Sequence, residues 1–237
     1  MPLKGKIALV TGATQGIGLA IARALADEGC NLVICGRNTR QLQLIEKQLG
    51  RKRITVLAQA CDVREEQSIS GLFNAAHRKF RRLDILVNNA GIVHANLPAS
   101  QLPAQVWSDV IATNLTGMFL VTKAAIPLMK PGSIIVNNLS VAARQVFPGL
   151  SAYNASKHGA RGFTNTLREE LREKGIRVVA LLPGATDTDI WDGFWPEAPR
   201  RKMVRPELIA QAVVDAVNLP AEASVDEISI LPSAGVL

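Results

Sequence analysis

Short apolar runs and longer amphipathic stretches alternate along the whole chain. The short runs are rich in valine and isoleucine, a composition typical of strands buried inside a sheet. We predict seven strands from these runs: Ile7–Val10, Leu32–Cys35, Thr55–Ala58, Ile85–Val87, Ser133–Val136, Arg177–Leu182 and Glu227–Leu231.

The stretches between these runs repeat their apolar residues every three or four positions, which indicates amphipathic helices. We predict six main helices: Gly18–Glu28, Thr39–Leu49, Glu65–Phe80, Pro103–Met129, Ala152–Lys174 and Pro206–Asn218. Because parallel strands need crossover connections, the alternation predicts an α/β fold, a doubly wound, seven-stranded parallel sheet of the Rossmann type with helices on both faces. No linker or change of composition divides the 237 residues, so we expect a single domain over residues 1–237.

Residues 184–205 follow neither pattern. This segment contains Trp191, Phe194 and Trp195 together with two prolines. It comes directly after a predicted strand, at the sheet edge where open parallel sheets bind their ligands. We interpret it as a substrate loop that closes over a site; the alternative is that its aromatic side chains cover a subunit interface.

Composition narrows the classes of protein to which the chain belongs. Apolar residues make up 48% and charged residues 20%, as in ordinary globular proteins. The net charge is +7, but the basic clusters lie far apart and lack interleaved aromatic residues, so we expect no nucleic-acid site. No apolar run reaches the ~18 residues of a membrane-spanning helix, and the first strand begins too early to leave room for a signal peptide.

The cysteines and histidines show neither the spacing of a disulfide framework nor that of a metal site. They are Cys30, Cys35, Cys61, His77, His94 and His158. We therefore expect a reducing, cytoplasmic location, no bound metal and no membrane or nucleic-acid partner.

A glycine-rich stretch, TGATQGIG at residues 11–18, lies between the first strand and the first helix. In an open parallel sheet, glycines at this turn let backbone N–H groups approach a pyrophosphate, and the helix N-terminus favours negative charge. The spacing is not G-x-G-x-x-G, and glycines also serve ordinary tight turns. Its position after the first strand favours a phosphate-binding loop.

Further motifs occur at fixed places along the chain. They are NNAG at Asn88–Gly91, Asn114, Ser140, Tyr153-x-x-x-Lys157 and Pro183-Gly184. Together with TGxxxGIG, and in this order, they resemble the single-domain short-chain dehydrogenases/reductases over nearly the whole chain. The resemblance implies an oxidoreductase that transfers hydride between NAD(H) or NADP(H) and a small-molecule carbonyl or secondary alcohol. It also implies a homodimer or homotetramer.

The catalytic residues implied by the resemblance are Asn114, Ser140, Tyr153 and Lys157. Tyr153 and Lys157 lie one helical turn apart on one face, and a nearby ammonium favours tyrosinate and lowers the pKa of the tyrosine. Tyr153 would then exchange a proton with the substrate oxygen. The resemblance assigns Ser140 to orienting that oxygen and Asn114 to holding a water that links Lys157 to solvent.

The resemblance also implies the residues that bind the cofactor. Besides Tyr153 and Lys157 they are Gly12, Thr14, Gln15, Gly16, Ile17, Gly18, Arg37, Asp62, Val63, Asn89, Ala90, Gly91, Pro183, Gly184 and Thr186. Arg37 stands after the second strand, where an acidic residue would select NAD, and its guanidinium can pair with the 2′-phosphate of NADP(H). We therefore favour NADP(H), although Gln15 replaces a basic residue common in NADP-dependent relatives, and Arg37 is alternatively a solvated surface charge.

Side chains near the catalytic pair are expected to line the substrate site. They are Val141, Ala142, Arg144, Phe147, Thr186, Trp191, Phe194 and Trp195. Arg144 suggests a carboxylate or phosphate on the substrate, and the aromatic residues suggest an apolar or ring-containing body. Two alternatives to an NADP(H)-dependent reductase remain: a catalytically silent NAD(P)-binding regulatory protein on the same fold, and an NAD-dependent alcohol or hydroxy-acid dehydrogenase.

Overall fold

The seven predicted strands form one parallel sheet. A computed structural model describes residues 3–220 and 222–235, and in it the sheet has the order β3-β2-β1-β4-β5-β6-β7. The strands are β1 (Ile7–Thr11), β2 (Asn31–Gly36), β3 (Val56–Ala60), β4 (Ile85–Asn88), β5 (Ile134–Asn138), β6 (Arg177–Pro183) and β7 (Glu227–Ile230). The chain adds strands first to one side of β1 and then, from β4 onward, to the other. This reversal opens a crevice beyond the carboxyl ends of β1 and β4.

The helices cover both faces of the sheet. They are α1 (Gly16–Asp27), α2 (Thr39–Gly50), α3 (Glu66–Phe80), α4 (Ala104–Ile111), α5 (Gly117–Ala125), α6 (Ser151–Arg172) and α7 (Pro206–Asn218). Successive residues of a strand point to opposite faces. Ala8 and Val10 of β1 accordingly pack in the core with α1, α2 and α7, whereas Ile7 and Leu9 pack with α3, α5 and α6. The predicted single α/β domain of the Rossmann type is confirmed.

The long predicted helix Pro103–Met129 is not uniform. Between α4 and α5, residues Ala112–Thr116 form a π-helical turn, and a 3₁₀ turn at Ile126–Leu128 follows. Wide turns of this kind inside helices are frequent at functional sites. The π-helical turn contains Asn114, so an asparagine that is unfavourable in a regular helix lies where the helix is irregular.

By length and composition, the helical run Ala104–Leu128 is long and apolar enough to cross a membrane, although no uninterrupted apolar run is that long. This is weak evidence, because core helices of globular proteins pass the same test. Val121 and Ala125 of α5 are fully buried against the sheet and α3. One side of the run therefore packs in the core of this domain, while Trp107 and Phe119 on it are exposed.

The segment 184–205 is more ordered than its sequence predicts. It contains two 3₁₀ turns, Asp189–Gly193 and Arg200–Lys202. A backbone bridge between Thr186 and Val204 joins its two ends. The segment thus forms a closed excursion between β6 and α7, directly above the carboxyl end of the sheet.

Candidate active site

A cleft of about 750 Å³ follows the carboxyl edge of the sheet. One end, which we call the arginine end, is lined by Arg37, Asp62 and Arg64; the opposite end, the tyrosine end, is lined by Tyr153 and Trp191. The cleft brings together nearly all the residues that the sequence predicts as a site. Three predicted residues, Gly18, Asn114 and Arg144, do not line it.

The glycine-rich loop occupies the middle of the cleft. Gly12 has φ +62° and Gly16 has φ +54°, a backbone region that favours glycine. A Cβ on Gly12 would lie 2.9 Å from the Cα of Ala90, so a side chain there would collide with the segment after β4. Gly18 lacks a side chain for a different reason: a Cβ would overlap Asn89 and the carbonyl oxygen of Gly12. Gly18 therefore serves close helix–strand packing.

The N-terminus of α1 opens toward this loop with unoccupied donors. Its N-cap residue, Gln15, makes no side-chain cap hydrogen bond, and no acidic residue lies in the first turn. The first N–H groups of a helix have no partner within the helix and attract anions. Together with the glycines at positions 12 and 16, this arrangement fits the pyrophosphate of a dinucleotide.

Asn89 ties the glycine loop to the neighbouring strands. Its Nδ2 donates to the carbonyl oxygens of Thr11 (2.9 Å) and Gly12 (3.1 Å), and its Oδ1 accepts from Asn138 Nδ2 at 2.8 Å. Asn138 ends β5 and also lines the cleft. Sequence reasoning missed Asn138, although an asparagine pair at a strand end, Asn137-Asn138, was a visible signal.

Three side chains with acid–base chemistry meet at the tyrosine end. Ser140 follows β5, and its Oγ accepts from the backbone N–H of Ala142 at 3.1 Å. The serine hydroxyl lies close enough to the hydroxyl of Tyr153 to influence the pKa of that phenol. Lys157, one turn further along α6, lies with its Nζ 5.6 Å from the ring centre of Tyr153 and donates to the carbonyl oxygen of Asn138 at 3.1 Å.

Burial governs the pKa values of this group. Burial raises the pKa of Tyr153, and the nearby Ser140 hydroxyl acts in the opposite direction. Burial lowers the pKa of Lys157 to about 8. The sequence predicts that the Lys157 ammonium and the positive ring of an oxidised nicotinamide lower the tyrosine pKa; within the chain alone, desolvation of the tyrosinate raises it.

Asn114 lies behind the cleft wall, 1% exposed. Its Oδ1 accepts from the N–H of Ile92 at 2.8 Å, while its Nδ2 donates to the carbonyl oxygen of Ile92 and to Ser156 Oγ. The side chain thereby fastens the segment after β4 to α6. A Cβ on Gly91 would lie 3.3 Å from Asn114 Oδ1 and 3.8 Å from Lys157 Nζ, so Gly91 separates the two side chains.

Charged side chains meet at the arginine end. Asp62 pairs with Arg64 at 2.7 Å, and Arg64 also reaches Asp109 at 3.0 Å. Arg64, followed by the more distant charge of Arg37, holds the pKa of the Asp62 carboxyl below its usual value. Asp62 does not cap α3, whose N-cap is Glu65. Sequence reasoning missed Arg64, whose signal was a basic residue two positions after Asp62.

The segment 184–205 covers the tyrosine end. Thr186 is buried and donates to the carbonyl oxygen of Gly184 at 3.0 Å, and the indole N–H of Trp191 donates to the carbonyl oxygen of Thr186 at 2.8 Å. Trp191 stacks on Phe194 with ring centres 4.9 Å apart. Arg200 holds the segment together through Asp187, Asp192 and the carbonyl oxygen of Thr188.

Arg144 does not line the cleft, contrary to the expectation from the sequence. Its guanidinium pairs with the carboxylate of Glu227 on β7, which also accepts from Arg161 of α6 at 3.3 Å. The other seven residues expected around the substrate do line the cleft. Because Glu227 lies 83 positions after Arg144, this ion pair could not be predicted from the local sequence around Arg144.

Within residues 3–220 and 222–235, no group of three or more histidine, cysteine or acidic side chains could hold a metal ion. His158 lies on the exposed face of α6 and contacts the carbonyl oxygen of Asn154. The three cysteines are buried and free.

Comparison with known proteins agrees with this site. The sequence profile of the family described as short chain dehydrogenase matches residues 6–198. A protein of Chromohalobacter salexigens named sulfoacetaldehyde reductase 2 is 34% identical, covering 96% of this chain and 94% of its own.

Two solved structures are similar over almost the whole chain. An alcohol dehydrogenase of Thermococcus sibiricus, complexed with 5-hydroxy-NADP, is 28% identical with a TM-score of 0.90 and 97% of both chains covered. A 3-ketoacyl-(acyl-carrier-protein) reductase of Brucella melitensis, complexed with NADH, is 30% identical with a TM-score of 0.89 and 98% of both chains covered. The cofactor in the first of these structures carries a 2′-phosphate, and the cofactor in the second lacks it.

Proposed function

This chain belongs to the short-chain dehydrogenase family and is an oxidoreductase of CH–OH and C=O groups; we propose that NADP(H) is its cofactor and Tyr153 its proton donor and acceptor. The observation that carries the proposal is the grouping of Ser140, Tyr153 and Lys157 at the end of a cleft that begins at Arg37.

The cofactor would lie along the cleft, held by residues from several strand ends. The loop at Gly12 and Gly16 and the first turn of α1 would hold the pyrophosphate. Ala90 and Gly91 would flank the middle of the cofactor, and Pro183, Gly184 and Thr186 would hold its far end. When bound, a nicotinamide dinucleotide supplies or accepts the hydride.

Tyr153 and Ser140 would act on the oxygen of the substrate. In the reductive direction the Tyr153 O–H donates its proton to the carbonyl oxygen, and the Ser140 hydroxyl orients that oxygen. Lys157 would hold positive charge next to the tyrosinate that forms, which favours the proton transfer. Asn114 acts at a distance as a positioning residue, because it fastens Ile92 to α6.

The preference for NADP(H) rests on the arginine end. Arg37 is exposed, and within the part of the chain that the structure describes it forms no ion pair. It lies close enough to Asp62 to lower the pKa of that carboxyl. A guanidinium pairs well with a phosphate dianion. An NAD-dependent dehydrogenase is the second candidate, because Asp62 puts a carboxylate at this same end.

The experiment is a fluorescence titration with NADPH and NADH at fixed salt. We expect Arg37→Ala to weaken NADPH binding by roughly 10- to 100-fold, the value of one or two charge-assisted hydrogen bonds, and to leave NADH binding unchanged. Arg51→Ala, on an exposed turn far from the cleft, is the matched control. Equal affinities for the two cofactors in the unmodified protein would make NADP(H) the wrong assignment.

Two further features complete the proposal. Residues 184–205 would serve as the substrate loop, because Trp191, Phe194 and Trp195 line the tyrosine end. We expect a homodimer or homotetramer, located in the cytoplasm. The exposed side chains of Trp107 on α4 and Phe119 on α5 support an interface between subunits. Size-exclusion chromatography with light scattering would test the oligomer.

A further inference from the structure

The walls of the cleft differ in charge from end to end. Around Tyr153 the walls are apolar, formed by Val141, Phe147, Leu150, Trp191, Phe194 and Trp195. These side chains come from the segment between β5 and α6 and from the segment after β6. They surround the position that a substrate carbonyl must occupy to reach the Tyr153 hydroxyl.

Cationic side chains are concentrated at the other end. Arg37 and Arg64 follow β2 and β3, on the far side of β1 from β5 and β6. With about 4.8 Å between neighbouring strands, β2 lies roughly 14 Å from β5. Among the residues that the structure describes, Lys157 is the one cation lining the tyrosine end, and it is 5% exposed and donates to Asn138.

Three further arginines close to this end are held in ion pairs outside the cleft. Arg144 and Arg161 share the carboxylate of Glu227, Arg200 pairs with Asp187 and Asp192, and none of the three lines the cleft. The second charged residue that lines the tyrosine end is Asp189, an exposed residue at the start of the turn that carries Trp191. Its negative charge would repel an anionic substrate.

The aromatic side chains are held in a fixed arrangement. Trp191 is anchored through its indole N–H to Thr186, stacks on Phe194 at 27° between planes, and meets Trp195 edge-on at 6.0 Å. Preorganised aromatic faces of this kind pack well against another ring. An ionised carboxylate or sulfonate here would lose its hydration without gaining a partner.

We propose that the tyrosine end selects uncharged ketones that carry a ring or an extended apolar body, and that it rejects carbonyl compounds bearing a carboxylate or sulfonate next to the carbonyl. This inference rests on the proposed function of the same site. It sets the chain apart from the Chromohalobacter salexigens relative, whose name describes reduction of an anionic aldehyde.

The test compares kcat/KM for two matched pairs with NADPH: methyl benzoylformate against benzoylformate, and methyl pyruvate against pyruvate. We expect each ester to be favoured over its anion by roughly 100-fold, because the anion's charge is unpaired in an apolar pocket. The ring-bearing ester should exceed methyl pyruvate by about tenfold, from added apolar contact.

Variants separate charge from the different reactivity of an ester and an acid. Asp189→Lys should raise the anion-to-ester ratio at least about threefold, since it reverses the one exposed charge at this end. Arg144→Ala should leave the ratio within about twofold, because Arg144 lies outside the cleft. A fall in the anion's rate in Arg144→Ala would show that this arginine receives the anion, and would overturn the proposal.

The remaining outcomes are also decisive. Equal kcat/KM for an ester and its anion would overturn the rejection of charge, and a preference for methyl pyruvate would overturn the selection of a ring. If neither the esters nor the acids are reduced, and Tyr153→Phe shows the same rates as the unmodified protein, the proposed function is wrong. This inference, which depends on it, is then wrong as well. Reduction that depends on Tyr153 but favours anions would overturn the inference alone.

Discussion

At the arginine end of the cleft, charged side chains meet at the protein surface, whereas at the tyrosine end aromatic and aliphatic side chains surround Ser140, Tyr153 and Lys157. Asp62 and Arg64 are partly exposed to solvent, which screens their charges. Lys157 is 5% exposed, and its pKa falls to about 8. Solvent therefore screens the charged groups at one end, whereas burial shifts the pKa of a charged group at the other.

This difference predicts that single substitutions at the two ends change different properties of the protein. Changes at the arginine end should alter which cofactor binds and how tightly. Changes at the tyrosine end should alter turnover, or the dependence of stability on pH, at nearly constant cofactor affinity.

The largest effect is expected at Tyr153. Tyr153→Phe keeps the ring but removes the O–H that donates to the substrate oxygen, so kcat should fall by roughly 10³-fold, within the range for loss of a positioned acid. The affinity for NADPH should stay within about twofold, measured by fluorescence titration. Substantial turnover in this variant would contradict the role assigned to Tyr153.

The buried Lys157 makes a second prediction, on stability. Its folded-state pKa of about 8 lies below the ordinary value of 10.5, so the unfolded chain binds more protons between these pH values. The free energy of unfolding contributed by Lys157 therefore rises with pH, by roughly 2 kcal/mol between pH 7.5 and 9.5 at about 1.4 kcal/mol per unit. Above pH 10 the raised pKa of Tyr153 acts in the opposite direction.

Urea unfolding at the two pH values, in the unmodified protein and in Lys157→Met, measures this contribution. The difference between the two proteins cancels groups that titrate in both, such as the buried cysteine Cys30. An identical pH dependence in both proteins would show that Lys157 keeps an ordinary pKa.

The third prediction concerns the loop between the two ends. Gly12→Ala places a Cβ 2.9 Å from the Cα of Ala90 at a positive φ, so we expect a loss of about 2 kcal/mol in stability and roughly tenfold weaker binding of NADPH and NADH alike. Gly71→Ala in α3 is the matched control, because a Cβ there meets nothing within 4 Å. An unchanged affinity for both cofactors in Gly12→Ala would separate this loop from cofactor binding.

The residues that sequence reasoning located correctly in the cleft are those whose chemistry requires one residue type at one place. Gly12 needs positive φ, and Tyr153 and Lys157 need one helical turn between them. Alternation of apolar runs was enough for the sheet, because the central strands β1, β4 and β5 are buried on both faces.

One expectation was wrong because a long-range partner decides the outcome. Arg144 was expected in the cleft, but it pairs with Glu227 of β7 and lies outside. Two other features also depend on residues distant in sequence. The pKa of Tyr153 responds to burial by segments that a local Tyr-x-x-x-Lys pattern does not contain. The hydrogen bonds of Asn114 to Ile92 are visible only in the fold, and its role as a site residue stays a prediction.

The smallest expected effect tests the arginine end by itself. Arg64 neutralises Asp62, so Arg64→Ala would leave that carboxylate free to repel the 2′-phosphate beside Arg37. Because the pair is partly exposed, the change should be worth about 0.6 kcal/mol, or roughly threefold weaker NADPH binding with NADH binding unchanged.

A double-substituted protein, Arg64→Ala with Asp62→Asn, isolates the cause. It removes the repelling charge along with its partner, so NADPH affinity should return to within about twofold of the unmodified value while turnover stays constant. If the double variant binds NADPH as weakly as Arg64→Ala does, Arg64 contacts the cofactor directly, and the arginine end would hold the phosphate with two cations rather than one.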